Sequence, residues 1–271
     1  MTTISAALVK ELREATGVGM MDCKKALSET NGDFEAAVKW LREKGLAAAS
    51  KKADRDTNQG SIFTAVSGSG AAIVEFNCET DFVGSNDQFG EFGAALAQAI
   101  LANAAVKSVG DLEQLQVGGQ GFKEWLSGAV LKLGENLTVK KFEKWGPQGA
   151  VGEYVHSNGK IGVIVGFSGA VDAGLARDIA MQIAASSPSC VDRKSANADE
   201  VLKETDIIRN QLRNEGKPEA ILDKIVEGKL SRFYQDICLL EQSFIKDQDK
   251  KVQDLLPSGV TVNQFVRYAL G

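Results

Sequence analysis

The sequence predicts an α+β fold: an N-terminal three-helix bundle, a duplicated core of antiparallel sheets with helices, and a projecting antiparallel αα-hairpin. Three observations predict it. A pattern of two strands followed by a helix occurs twice, over 62–103 and again over 152–187. The first 45 residues carry helical caps and periodic apolar positions and no strand-like run. Gly216-Lys217-Pro218 divides a long helical stretch, and the arm after it repeats apolar residues at spacings of three and four.

Each element has its own local signal. Ser5 caps a first helix with Leu8, Val9 and Leu12 on one face, ending near Gly17. A second helix covers roughly 21–30, closed by Asn31-Gly32, with Leu27 inward. Asp33 caps a third, where Phe34, Val38 and Leu41 align beside Trp40 and Gly45 ends the helix. Three short helices of this size suggest a UBA-like bundle over 1–46. Residues 47–60 are assigned to a linker, in which Ser50 to Gly60 are polar and aperiodic, as in a mobile linker or a frayed helical extension.

The first half of the core spans 61–143. It pairs strands 62–66 and 71–77 through the turn Gly68-Ser69-Gly70, then a helix with Phe89, Phe92, Leu96 and Ile100, a helix over 122–133 and a strand over 137–142. The second half, over 144–197 and 247–271, pairs 152–156 with 161–167 around Ser157-Asn158-Gly159, adds a helix from Asp172 to Ser187, and closes with a strand over 260–268. Between its two pieces, 198–246 forms the αα-hairpin. There Gly216 ends one arm and Pro218 starts the next, whose seam runs from Ile221 to Leu240.

Composition narrows function. A net charge of -5 argues against nucleic acid as a direct partner, since phosphate binding needs clustered Lys and Arg. Ten Lys/Arg against eight Asp/Glu over 1–55 leave only that end weakly basic. A single histidine, His156, excludes multi-histidine metal sites, and no phosphate loop, dinucleotide fingerprint or nucleophile elbow follows a strand. We expect no enzyme activity, no cofactor and no bound metal. Cys23, Cys78, Cys190 and Cys238 lie far apart without a CxxC pair, no leader is evident, and no uncharged apolar stretch reaches the ~18 residues of a membrane span. The cytoplasm is the expected location.

The most informative segment is Cys78-Glu79-Thr80-Asp81-Phe82-Val83, where a short apolar strand gives way to a polar pair and a ring. Two readings of Phe82 stay open: a plug under the Phe89–Phe92 helix, or an anchor for a partner. Asp81 could cap the next helix, and Met20 and Met21 could be bundle core or adaptable contacts. His156 reads as a hairpin residue with a structural hydrogen bond, or as a contact.

Several blocks then carry a resemblance. Residues 8–17 and 19–27 of the amino-terminal segment, Asn77 to Val83, Gly134-Glu135-Asn136-Leu137, Tyr154-Val155-His156, Ile179-Ala180-Met181, and Gly216-Lys217-Pro218 with Val226-Glu227-Gly228 resemble the translation elongation factor Ts family, in the family's order. The resemblance implies a guanine-nucleotide exchange factor that binds the GDP form of elongation factor Tu. It implies that Thr80, Asp81, Phe82 and Val83 dislodge Mg²⁺ from that partner, and that Leu12, Met20, Met21 and His156 contact it. A heterotetramer or a homodimer through the helical hairpin is a further implication. The alternative is a UBA-type interaction module that does not exchange nucleotide. The chain departs from the family at Gly84-Ser85, where Ala and a basic residue are common, and lacks the C-terminal helix of longer members, so those two contacts are expected to be missing.

Overall fold

The computed structural model describes residues 4–68 and 70–271, so the extreme amino terminus and Ser69 of the predicted turn lie outside the described residues. The bundle forms as its caps dictate. Helices α1 (Ala6–Thr16), α2 (Met20–Glu29) and α3 (Phe34–Lys52) enclose Val9, Leu12, Cys23, Ala26, Leu27, Ala37 and Leu41. Leu8 N–H donates to Ser5 Oγ at 3.2 Å and Ala36 N–H to Asp33 Oδ1 at 3.0 Å, satisfying otherwise orphaned helix donors. Gly17 ends α1 with φ of 67°, a left-handed conformation that costs glycine nothing.

One expectation fails here: Gly45 does not end α3. Of the two readings of 47–60, the helical extension holds for residues 47–52. Gly45 is buried where α3 crosses a later helix; a Cβ there would stand 3.1 Å from Ser127 O. The glycine serves close approach, and Ala49 one turn on packs against the core.

The first half comprises β1 (Gln59–Ser67), β2 (Gly70–Cys78), the one-turn helix α4 (Asp81–Gly84), α5 (Asp87–Ala102), the short strands β3 (Gln116–Val117) and β4 (Gln120–Gly121), α6 (Phe122–Leu133) and β5 (Thr138–Trp145). The second contains β6 (Ala150–Val155), β7 (Ile161–Phe167) and α7 (Ala173–Ser186). The arms α8 (Ala198–Asn214) and α9 (Glu219–Ile237) follow, then β8 (Ser243–Phe244), β9 (Asp247–Lys251) and the closing β10 (Val262–Ala269). The duplication is plain in the pairing. Both sheets are antiparallel, in the orders β1-β2-β5 and β6-β7-β10, with the second hairpin strand central in each.

Side-chain alternation along the central strands sets the layers. Ala72, Val74, Phe76 and Cys78 of β2 face α5 and α6, while Val163, Val165 and Phe167 of β7 face α7. The opposite faces meet: Ile62, Ala71 and Ile73 pack against Ile164 and Tyr268. Glycine permits this contact, since a Cβ on Gly162 would stand 2.4 Å from Ile62 Cγ2. The order is therefore helix, sheet, sheet, helix, and β2 is buried along its full length.

The helical hairpin is shorter than its apolar stripe suggested. Ile208 and Leu212 meet Leu222 and Val226, but α9 stops at Ile237, and Leu240 belongs to a separate turn in the core. Pro218 precedes the first helical residue as its N-cap. At the base, Arg193 makes two bonds to Glu241, Nε at 2.5 Å and a terminal nitrogen at 2.7 Å.

Candidate functional site: an exposed aromatic turn beside the second hairpin

Thr80, not Asp81, caps the turn that follows β2. Val83 N–H donates to Thr80 Oγ1 at 3.4 Å, and the next helix, α5, has its own cap in Asn86, which accepts from Gln88 N–H at 2.8 Å. Asp81 caps neither helix and is exposed. The four residues of the segment divide their tasks: Thr80 caps, Val83 packs down on the first core, and Asp81 and Phe82 point out. Phe82 is 85% exposed, so it plugs nothing within this chain.

The base of the turn is rigid. Cys78 is fully buried, and its Sγ donates to Thr80 O at 3.0 Å. Burial, with the Glu135 carboxylate adding to it, pushes this thiol up to about 11, so it stays protonated and unreactive at neutral pH. Glu135 accepts from Glu79 N–H and Thr80 N–H, both at 3.0 Å, and from the Thr80 hydroxyl at 2.5 Å. Ser61 Oγ donates to Gly84 O at 3.3 Å on the other side. Motif comparison singled out Glu135 without giving it a role. Its partners lie more than fifty positions away in sequence, so spacing carries no trace of them.

The second half of the core supplies the adjoining wall. Ile62 N–H donates to Gly159 O at 2.8 Å, and Lys160 Nζ donates to Gly60 O at 2.9 Å, pinning the β6–β7 connection onto β1. His156 opens that connection. Its backbone N–H donates to Ile161 O at 2.9 Å, its Nδ1 lies 3.1 Å from the Tyr154 hydroxyl, and its ring remains exposed. A groove of 650 Å³ runs between the two halves, with Gly84, Ser85 and Asn86 on one side and His156, Ser157 and Asn158 on the other. Thus His156 and the aromatic turn, 74 positions apart in sequence, share one surface.

The bundle residues separate. Met20 and Met21 begin α2 with 52% and 75% exposure, too open for core fillers. Leu12 has no exposed surface and sits in the bundle core, so it offers nothing to a partner in this conformation. Its role is packing under α2, as its place on the apolar face of α1 requires. Gly84 leaves room for a side chain: a Cβ there would make ordinary contacts of 3.5 Å with Cys78 Sγ and Gly60. Among the described residues, no helix is long and apolar enough to cross a membrane.

These features lie on a chain whose residues 79–271 match the family described as Elongation factor TS. The match begins at the aromatic turn and takes in Glu135, His156, both sheets' later strands and the helical hairpin. The chain belongs to the elongation factor Ts family, the nucleotide-exchange factors of elongation factor Tu.

Proposed function

We propose that this chain binds the GDP form of elongation factor Tu and releases the nucleotide by driving Phe82 and Asp81 against the partner's Mg²⁺ site. The observation that carries the reading is a phenylalanine 85% exposed on a turn that is itself held from three sides. Burying such a ring is worth roughly 1.5–3 kcal/mol, and that free energy is available only at a partner. An anchored aromatic of this kind is what dominates interfaces energetically. Phe82 supplies the wedge. Asp81, an exposed carboxylate beside it, disturbs the groups that position the metal. Losing Mg²⁺ removes the charge that neutralises the diphosphate, so GDP departs.

The coupling is reciprocal. Docking weakens GDP by the factor that GDP weakens docking, and incoming GTP then expels the chain. On this reading the chain performs no covalent chemistry and holds no cofactor of its own. Met20, Met21 and His156 widen the contact, and the exposed Leu202, Ile207 and Ile221 of the helical hairpin provide the surface for a second copy. Four free cysteines, all buried, suit the reducing cytoplasm.

The test is release of labelled GDP from elongation factor Tu with Mg²⁺ present or chelated. The proposal expects saturating protein to accelerate release strongly when Mg²⁺ is present and much less once it is removed. Asp81→Ala should lose a large part of the acceleration. Unchanged release with Mg²⁺ present would favour the second reading, a non-exchanging interaction module that holds its partner through the exposed methionines of α2.

A further inference from the structure

Building on the exchange reading above, we propose that Glu135 is a positioning residue for that activity: its carboxylate fixes the direction in which the Asp81–Gly84 turn presents Phe82. A four-residue helix cannot hold itself, because helix nucleation is unfavourable and one turn closes too few hydrogen bonds to offset it. Nor does the sheet hold it. The ladder ends with the pairs Asn77–Thr138 and Gln59–Cys78, leaving the N–H groups of Glu79 and Thr80 beyond the last strand partner. Both donate instead to one oxygen of Glu135, at 3.0 Å each.

Glu135 then sets the Thr80 hydroxyl. An ionised carboxylate accepts and does not donate. The Thr80 O–H must therefore point to Glu135 Oε1, 2.5 Å away, which leaves a lone pair on Thr80 Oγ1 free to accept from Val83 N–H. That is the capping bond of the turn. With Val83 anchored in the core and Thr80 locked from the side, Phe82 can only face outward.

Glu135 is itself braced. Gly134 ends α6 in a left-handed conformation, φ 80°, and turns the chain toward β2. Asn136 N–H donates to Glu79 Oε1 at 2.6 Å, so the two carboxylates cross, each accepting from the other's backbone segment. Asn136 Nδ2 donates to Arg55 O at 2.8 Å and to Ala53 O at 3.3 Å, and Lys52 Nζ reaches Gly134 O. Arg55, 3.4 Å from Glu79, offsets the charge of the acidic pair. The same loop thus holds the turn and the end of α3.

Glu135→Gln and Glu135→Ala test this with two measurements on the full chain. The first is amide hydrogen exchange of residues 79–85, with β2 as an internal reference. The second is GDP release from elongation factor Tu across a range of factor concentrations. Glu135→Ala should expose the amides of Glu79, Thr80 and Val83 while β2 stays protected. It should lower the maximal release rate about tenfold, the equivalent of one charge-assisted hydrogen bond, with less change in the half-saturating concentration. Glu135→Gln, whose amide can donate to Thr80 Oγ1 and compete with Val83, should fall between wild type and alanine. Unchanged exchange in the turn overturns the proposal, as does a maximal rate that survives its loosening. Faster exchange throughout β2 overturns it too, by making Glu135 a general stabiliser. If the unsubstituted chain fails to accelerate release, the exchange reading falls and this inference with it, a failure visible in wild type and not in a variant.

Discussion

Phe82 and Val83 are adjacent apolar residues with opposite fates, one exposed and one packed on the core. Nothing in their order distinguishes them, because a single helical turn has no periodicity to read. The backbone direction set at Thr80 decides which ring or branch goes in. At this scale the sequence left the plug and the anchor both open for Phe82, and solvent exposure separates them. Gly84 belongs to the same turn and has a negative φ with ordinary room for a methyl group. Gly84→Ala should therefore stabilise the chain by about 0.4–1 kcal/mol by restricting the unfolded state, measurable by urea denaturation. Cys78 yields a pH dependence. Its pKa is raised from 9.0 to about 11 in the folded chain, so the neutral thiol is favoured and the stabilisation is complete below pH 9. It is lost as pH rises through the folded value. Melting temperature should fall between pH 9 and 11, and the fall should be shallower in Cys78→Ala.

Among the elements, those with caps and full periodicity were legible. Ser5 and Asp33 cap the helices they announce, the helix read from Asp172 begins at the next residue, and α6 spans Phe122–Leu133 as read. The failures share a cause: tertiary contact overriding local preference. Gly45 looked like a helix terminator because glycine often follows a last turn. It lies inside α3 because α6 comes so near that a side chain would press on Ser127 O. The polar tail after it stays helical, with Lys52 reaching Gly134 O and Ala49 on the core. Gly45→Val should accordingly separate α3 from α6 and cost about 1–3 kcal/mol, seen as a lower urea midpoint. In α9 the apolar stripe outran the helix because Leu239 and Leu240 serve the second core instead.

The whole molecule places its surface through the contact between its two halves. The aromatic turn follows the central strand of the first sheet and His156 comes from the second, and they adjoin because Ile62, Ile73 and Ile164 draw the sheets together at Gly162. The duplication was legible as two hairpin-plus-helix patterns. The face on which they meet was not, since β7 is apolar on both sides and β2 carries Ala71 and Ile73 on one face and Ala72, Val74 and Phe76 on the other. Gly162→Ala should push against Ile62 and cost about 1–3 kcal/mol, a loss visible as a lower melting temperature. The proposed exchange requires Phe82 to be buried on the partner and not on this chain. GDP release from elongation factor Tu, stimulated by Phe82→Ala beside wild type, separates the two. Release should slow sharply while the variant's melting temperature stays within about 1 °C of wild type, as for an exposed side chain. A variant that melts far earlier, or one that stimulates release as well as wild type, would contradict it.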